Sequence, residues 1–160
     1  MKVYPRIEIY DATPADFGIL LSMDASLGDG RADSNRVRGW LLSTIHKVSI
    51  ANINILCPPT GQSVRCPVGY VSYIPRSNGQ TRVSRIAVDS EFQCQGIGRA
   101  LVDHIDDGQR PISLAIPEDN LGAQLWLRSC GFRCTRIHRP SERDGLQAWE
   151  FERQPIAVVR

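Results

Sequence analysis

The sequence predicts an α/β (α+β) fold, a mixed and mostly antiparallel sheet of six to seven strands flanked by about four helices. Two observations carry that expectation. From Lys47 to Cys57, and again from Val68 to Ile74, β-branched residues alternate with small or polar ones around a Cys57-Pro58-Pro59-Thr60-Gly61 turn, the pattern of two paired strands. Between Thr81 and Ile105 a strand, a glycine loop and an apolar-faced helix follow one another directly. With 160 residues and no repeat, low-complexity run or linker, residues 1–160 are expected to form a single domain around one core.

In chain order, Arg6 to Tyr10 sets Ile7 and Ile9 between polar neighbours and predicts a first strand. Thr13-Pro14-Ala15-Asp16 predicts a capping box with proline at the first helical position. The helix it opens buries Phe17, Leu20, Leu21 and Met23 and ends at Gly28-Asp29-Gly30. Arg31 to Ser43 predicts a second, shorter helix with Val37, Trp40 and Leu41 inward and Arg31, Arg36 and Arg38 outward. In the second strand the alternation slips at Ala51-Asn52, as it does at a bulge. Val68–Ile74 returns, and Pro75 to Gly79 turns into the fourth strand, so strands two to four form an antiparallel meander.

The helix after Gly98 presents Ala100, Leu101, Val102 and Ile105 on one face and stops at Asp106-Asp107-Gly108. Ile112-Ser113-Leu114-Ala115-Ile116 predicts a fifth strand, and Asp119 or Asn120 caps a helix running to Cys130. Arg133–Ile137 and Ala148–Glu152 predict the last two strands, around the polar turn from Arg139 to Gly145.

Composition excludes several classes. A net charge of +2 gives no electrostatic case for nucleic acid. No apolar run reaches the roughly 18 residues of a membrane-spanning helix, and Met1 to Arg6 has no signal-peptide pattern, so a cytoplasmic protein is expected. The five cysteines form no Cys-x-x-Cys pair, and reduced thiols follow from a cytoplasmic setting. Cys57 and Cys66 flank a Pro-Pro-Thr-Gly turn and could be brought near each other, and the sequence leaves open whether they pair. Cys130, Cys134 and His138 recur every four residues, but Gly131-Phe132 breaks the helix that would gather them, so no metal is expected.

The chemistry concentrates at Gln93-Cys94-Gln95-Gly96-Ile97-Gly98-Arg99. A helix N-terminus presents backbone N–H groups and the positive end of the macrodipole, and glycines let an anion approach that backbone. A lone Gly-x-Gly is also what a tight turn into a helix looks like. The dinucleotide fingerprint fits poorly, since it needs a small residue where Leu101 stands.

The longer pattern Ile86-Ala87-Val88-Asp89-x-x-Phe92-Gln93-x-x-Gly96-Ile97-Gly98-Arg99-Ala100-Leu101 resembles the acetyl-CoA pyrophosphate motif of the GNAT superfamily of N-acetyltransferases, (Arg/Gln)-x-x-Gly-x-(Gly/Ala). A second block, Asn120-x-x-Ala123, Leu125-Trp126-Leu127 and Gly131-Phe132, resembles the segment after that family's fifth strand. The resemblance implies parallel fourth and fifth strands that splay into a V, with acetyl-CoA as cosubstrate between them and no metal. It implies pyrophosphate binding at Gln93, Cys94, Gln95, Gly96, Ile97, Gly98, Arg99 and Ala100, pantetheine pairing along Ile86, Ala87 and Val88, and a pantetheine or thioester contact at Asn120. Within the family the style is that of the RimI-like protein N-terminal acetyltransferases.

Two departures bear on catalysis. Leu127 stands where the family's proton-donating tyrosine is expected, and Ala115 where its glutamate base is expected. An enzyme relying on proximity would then follow the amine's own ionisation, with turnover rising across the neutral range. Glu118 and His138 are the weak candidates for a substitute acid or base, each weighed against an ordinary solvated side chain. The resemblance implies an amine acceptor, either a peptide N-terminus or a small molecule, on a monomer or homodimer with no nucleic acid or membrane partner. The alternative reading is a non-catalytic acyl-CoA-binding or sensing module.

Overall fold

The structure is a computed structural model and describes residues 6–27, 33–57, 59–140 and 145–155. Among them are β1 (Ile7–Asp11), α1 (Phe17–Leu27), α2 (Ser34–Leu42), β2 (Lys47–Cys57), β3 (Gln62–Pro75), β4 (Thr81–Val88), α3 (Ile97–Ile105), β5 (Ile112–Pro117), α4 (Leu121–Ser129), β6 (Arg133–Ile137) and β7 (Ala148–Arg153). The strands hydrogen-bond in the order β1-β2-β3-β4-β5-β7-β6. The chain divides into two compact units, residues 1–74 with 84–105 and residues 75–83 with 106–160, so β4 contributes to both.

In the first unit β2 pairs antiparallel with β1 and, over its whole length, with β3. The register slips at Ala51/Asn52, where the alternation predicts a bulge. Thr13 and Asp16 form the capping box, the Asp16 carboxylate accepting from the Thr13 N–H at 2.8 Å, ahead of a 3-10 turn that runs into α1. The Asp33 side chain caps α2 by accepting from the N–H groups of Asn35 and Arg36. A core of Leu20, Met23, Val37, Trp40, Val48, Ile50 and Tyr70 follows from the apolar faces of α1, α2, β2 and β3.

Inside that core lies a carboxylate. Asp24 of α1 is 0% exposed and accepts from the Tyr70 hydroxyl at 2.7 Å and from Arg36 Nη2 at 2.5 Å, with Arg85 Nε at 3.0 Å. Burial raises its proton affinity, but the bonds from Tyr70 and Arg36 and the charge of Arg85 outweigh this, and the carboxyl is held below its ordinary value. The same burial, with the bond to Asp24, pushes the Tyr70 phenol well up. The group is a fixed ion pair with a neutral lid.

In the second unit β4 and β5 run parallel, paired at Thr81↔Ile112 and Arg82↔Ser113. β7 pairs antiparallel with β5 from Ile112↔Arg153 to Pro117↔Ala148, and on its other side with β6. Between Cys134↔Phe151 and Arg136↔Glu150 the register shifts, leaving Thr135 as an extra residue on β6. Ile112, Leu114, Leu127, Cys130, Phe132 and Phe151 are buried here, and Arg153 is held by Asp106 at 2.6 Å.

Four expectations need correcting or placing. Arg36, expected on the outward side of α2, turns its guanidinium to the buried Asp24. β3 begins at Gln62 rather than Val68, because its first residues are exposed on both faces and carry no burial pattern while pairing with the far end of β2. Cys57 and Cys66 are free thiols, set apart by a register that pairs Cys57 with Gln62 and Cys66 with Ile53. The expected helix end at Gly28-Asp29-Gly30, the outward Arg31 and part of the Arg139–Gly145 turn lie outside the described residues.

Candidate functional site

In the first unit the glycine loop is built stepwise from the end of β4. Ile86, Ala87 and Val88 are half-buried, and the Asp89 N–H donates to Val68 C=O at 2.8 Å. The Asp89 carboxylate then accepts from the Glu91 N–H at 2.9 Å, which closes the 3-10 turn Ser90–Phe92. Gln93 reaches back to donate to Val88 C=O at 3.2 Å, and Gln95 donates to Glu91 C=O at 3.4 Å. Both amides brace the loop from outside.

The loop backbone is left-handed at Cys94 (φ 61°) and again at Gly96 (φ 85°). For Cys94 that conformation costs roughly 1–2 kcal/mol, which makes it a conformation the surroundings enforce. Backbones that enter and leave the left-handed region turn successive N–H groups toward one concavity, an anion-binding nest. A Cβ built at Gly96 would meet nothing within 4 Å, so the space above that backbone is open. The helix's own hydrogen bonding begins with the Ala100 N–H to Gly96 C=O at 2.9 Å, and the residues ahead of it supply the first-turn N–H groups. Ile97, 1% exposed, anchors the helix start, Gly98 is half-buried, and Arg99 is exposed.

Gly69 on β3 belongs to this construction and carries no motif signal. A Cβ there would stand 2.9 Å from the Ala87 carbonyl oxygen and 3.4 Å from Ile97 Cγ2, so only glycine admits this approach of β4 and α3. Gln93 to Ala100, expected to bind pyrophosphate, and the strand residues Ile86 to Val88 are thus brought together by one turn.

In the second unit Asn120 is the N-cap of α4, its side-chain oxygen accepting from the Ala123 N–H at 3.1 Å. Gln124, buried and unforeseen, donates to Pro117 C=O and Glu118 C=O at 3.3 and 3.0 Å and so fixes the end of β5. Glu118 is engaged: its carboxylate accepts from the Gln147 N–H at 3.1 Å, and its own N–H donates to Gln147 C=O. That spends on structure an oxygen a base would need. Leu127 is 0% exposed, a packing residue, and Ala115 on β5 is half-buried. Cys130 caps α4 and Cys134 lies in β6, on a different element. Among the described residues no group of three or more His, Cys, Asp or Glu is placed to hold a metal ion.

His138 is in different company. Its Nε2 is 2.7 Å from Glu150 Oε2, and Glu150 also pairs with Arg82. Glu150 and Arg82 were not singled out in the sequence, where each is one charge in an alternating strand. Burial raises the Glu150 carboxyl's proton affinity, but the His138 bond and the Arg82 charge outweigh it, so it is held below its ordinary value.

A strand, nest and helix start of this kind can bind a phosphate-bearing cosubstrate, and the polar face of the second unit can handle protons. Comparison with known proteins bears on which chemistry this is. Residues 60–134, just under half of the chain, match the family model described as an acetyltransferase (GNAT) domain. Comparison with the curated proteins gave no match. Among solved structures, the ribosomal-protein-S18-alanine N-acetyltransferase from Escherichia coli is similar at TM-score 0.72 and 17% identity, over 97% of each chain. Arabidopsis thaliana NAA60 in complex with a bisubstrate analogue is similar at TM-score 0.71 and 16% identity, over 92% of this chain and 97% of that one. A spermidine N-acetyltransferase SpeG chimera from Vibrio cholerae and hSSAT is similar at TM-score 0.67 and 11% identity, over 93% and 96%. The fold is the GNAT fold, a mixed sheet with a parallel β4–β5 pair.

Proposed function

We propose that this chain, which carries an acetyltransferase (GNAT) domain, is a single-domain N-acetyltransferase that moves the acetyl group of acetyl-CoA to a primary amine. The observation that carries the reading is the nest at Cys94 and Gly96 opening directly onto the N-terminus of α3, with Gln93 and Gln95 bracing it. Acetyl-CoA supplies an activated thioester. The chain supplies N–H groups between Gln93 and Ala100 for its pyrophosphate, the charge of Arg99 near them, and backbone along Ile86, Ala87 and Val88 for its amide arm. In the second unit Asn120, while capping α4 with its oxygen, keeps an amide nitrogen as a donor.

A peptide N-terminus is the acceptor this reading favours, supported by the likeness to an enzyme named for an alanine of ribosomal protein S18 and by the RimI-like style of the β4 motif. A cytoplasmic setting accords with that acceptor, and no helix among the described residues is long and apolar enough to cross a membrane. Leu127 and Ala115 favour a second reading, an acyl-CoA-binding module without turnover. Release of CoA thiol with peptides bearing free N-termini, set against small amines, separates the two.

Calorimetric titration with acetyl-CoA tests the loop. Gly98→Glu places bulk and negative charge at the helix start, and its affinity is expected to fall at least about tenfold, roughly 1.4 kcal/mol. Equal affinity in the two proteins would remove the assignment.

A further inference from the structure

We propose that His138 is the catalytic residue that accepts the proton lost by the acceptor nitrogen, with Glu150 as its positioning residue; this rests on the transfer reaction proposed above. The starting point is a register. On antiparallel β5 and β7, Ala115 stands directly opposite Glu150. Residues so paired put their side chains on the same face, with Cβ atoms roughly 5 Å apart. The carboxylate that the sequence lacks at position 115 is therefore present one strand away.

Glu150 is a poor base, because Arg82 pairs with it and it is held ionised, but it is a good anchor for an imidazole. The bulge at Thr135 delivers that imidazole. Without the extra residue Ile137 would take the place opposite Ala148 and His138 would fall on the Phe151 side; with it, Arg136 stands opposite Glu150 and the His138 N–H donates to Ala148 C=O at 2.8 Å. His138 and Glu150 then share a face, 2.7 Å apart at Nε2 and Oε2.

With Nε2 holding a hydrogen toward the carboxylate, the basic lone pair is on Nδ1. The ring remains 40% exposed and Glu150 17%, so the pair is open to a substrate on one side and fixed on the other. A solvated His–Glu pair is commonplace and adds little stability. The place opposite residue 115 and the arginine that keeps Glu150 anionic distinguish this one. The other charged groups of the surrounding strands are Arg82 and Arg85 on β4, Arg133 and Arg136 on β6 and Glu152 and Arg153 on β7, with Glu118 after β5 and Arg139 next in sequence.

In the step, a C–N bond forms between the acceptor nitrogen and the thioester carbonyl carbon. The C–S bond breaks and its electron pair leaves with sulfur. The proton released by nitrogen passes to His138 Nδ1 and on to solvent, from which the sulfur is protonated.

The test is the pH dependence of kcat/KM for the wild type, His138→Gln and Glu150→Gln across the neutral range. The wild type is expected to lose activity on the acid side, as an enzyme that needs an unprotonated base does. His138→Gln should lower kcat roughly 10²-fold and abolish that limb, with KM for acetyl-CoA unchanged. Glu150→Gln should lower kcat by less than His138→Gln does and leave KM for acetyl-CoA unchanged, since the imidazole is kept but loses the anchor that fixes its orientation. Free imidazole should restore part of the rate of His138→Ala, which a purely structural histidine would not allow. An active His138→Gln enzyme with the wild-type profile overturns the proposal. Turnover keeps it separate from the reading beneath it: a wild type that acetylates no amine overturns the function and the relay together, while a wild type that acetylates an amine and whose His138→Gln variant does so at the same rate overturns the relay alone.

Discussion

The two units each hold a carboxylate between arginine and one other polar group, and they use it differently. Asp24 is closed on every side, by Arg36, Arg85 and a Tyr70 phenol whose proton is locked far above neutrality. Glu150 has Arg82 on one side, and its remaining partner is a half-exposed imidazole. The first arrangement has no member that changes charge near neutral pH, and it ties α1 and α2 to β3 and β4. The second holds the one side-chain type whose ordinary titration falls in the working range. What separates a structural ion pair from a proton-handling one here is the partner, rather than the carboxylate.

The contrast can be broken by denaturation. Asp24→Asn leaves two arginines and a tyrosine around a neutral group, and the loss is expected to be about 3 kcal/mol, the low end for a broken buried pair because both arginines can turn partly to solvent. A loss near zero would mean the network is incidental. Glu150→Gln should cost about 1 kcal/mol or less in the same assay, since Glu150, unlike Asp24, keeps contact with water and one of its partners is the half-exposed His138. A cost equal to that of Asp24→Asn would make both networks structural and end the comparison.

An acid titration of stability sharpens it. Both carboxyls are lowered from ordinary values of 3.8 and 4.5, so each contributes stability that is present above those values and lost as pH falls through its folded value. Unfolding monitored by circular dichroism should therefore show stability falling below about pH 4.5 and a shallower fall in either amide variant. An unchanged slope in Asp24→Asn would contradict the direction assigned to that carboxyl.

Much of the fold was legible in the sequence because it is written locally. β2 and β6 fall at the expected limits, and the slip at Ala51-Asn52 is a real bulge, since alternation and its interruption survive in a single stretch of chain. Gln93 to Gly98 was readable for the same reason: a loop that enters a helix is one contiguous segment. The Asp24 network joins residues from two helices and two strands, and no spacing relates them. Gly69 is required by a carbonyl eighteen positions away in sequence, which a glycine in an otherwise good strand does not disclose. His138 was visible as a residue, but its partner Glu150 depends on a register fixed by three strands, and Glu118, equally visible, proved to be tied to Gln147.

The extra residue at Thr135 has a consequence for how such chains diverge. Along a strand the side chains obey a parity, and every position after the bulge has the opposite parity from the one its count from Arg133 would give it. A change of one residue in length at that point exchanges the inward and outward sets of all that follows before the turn, with no side chain replaced. Comparing relatives column by column weighs substitutions and treats a single gap as minor. In this hairpin the gap is the larger event, because it alone decides whether His138 or Ile137 is presented on the face of Glu150.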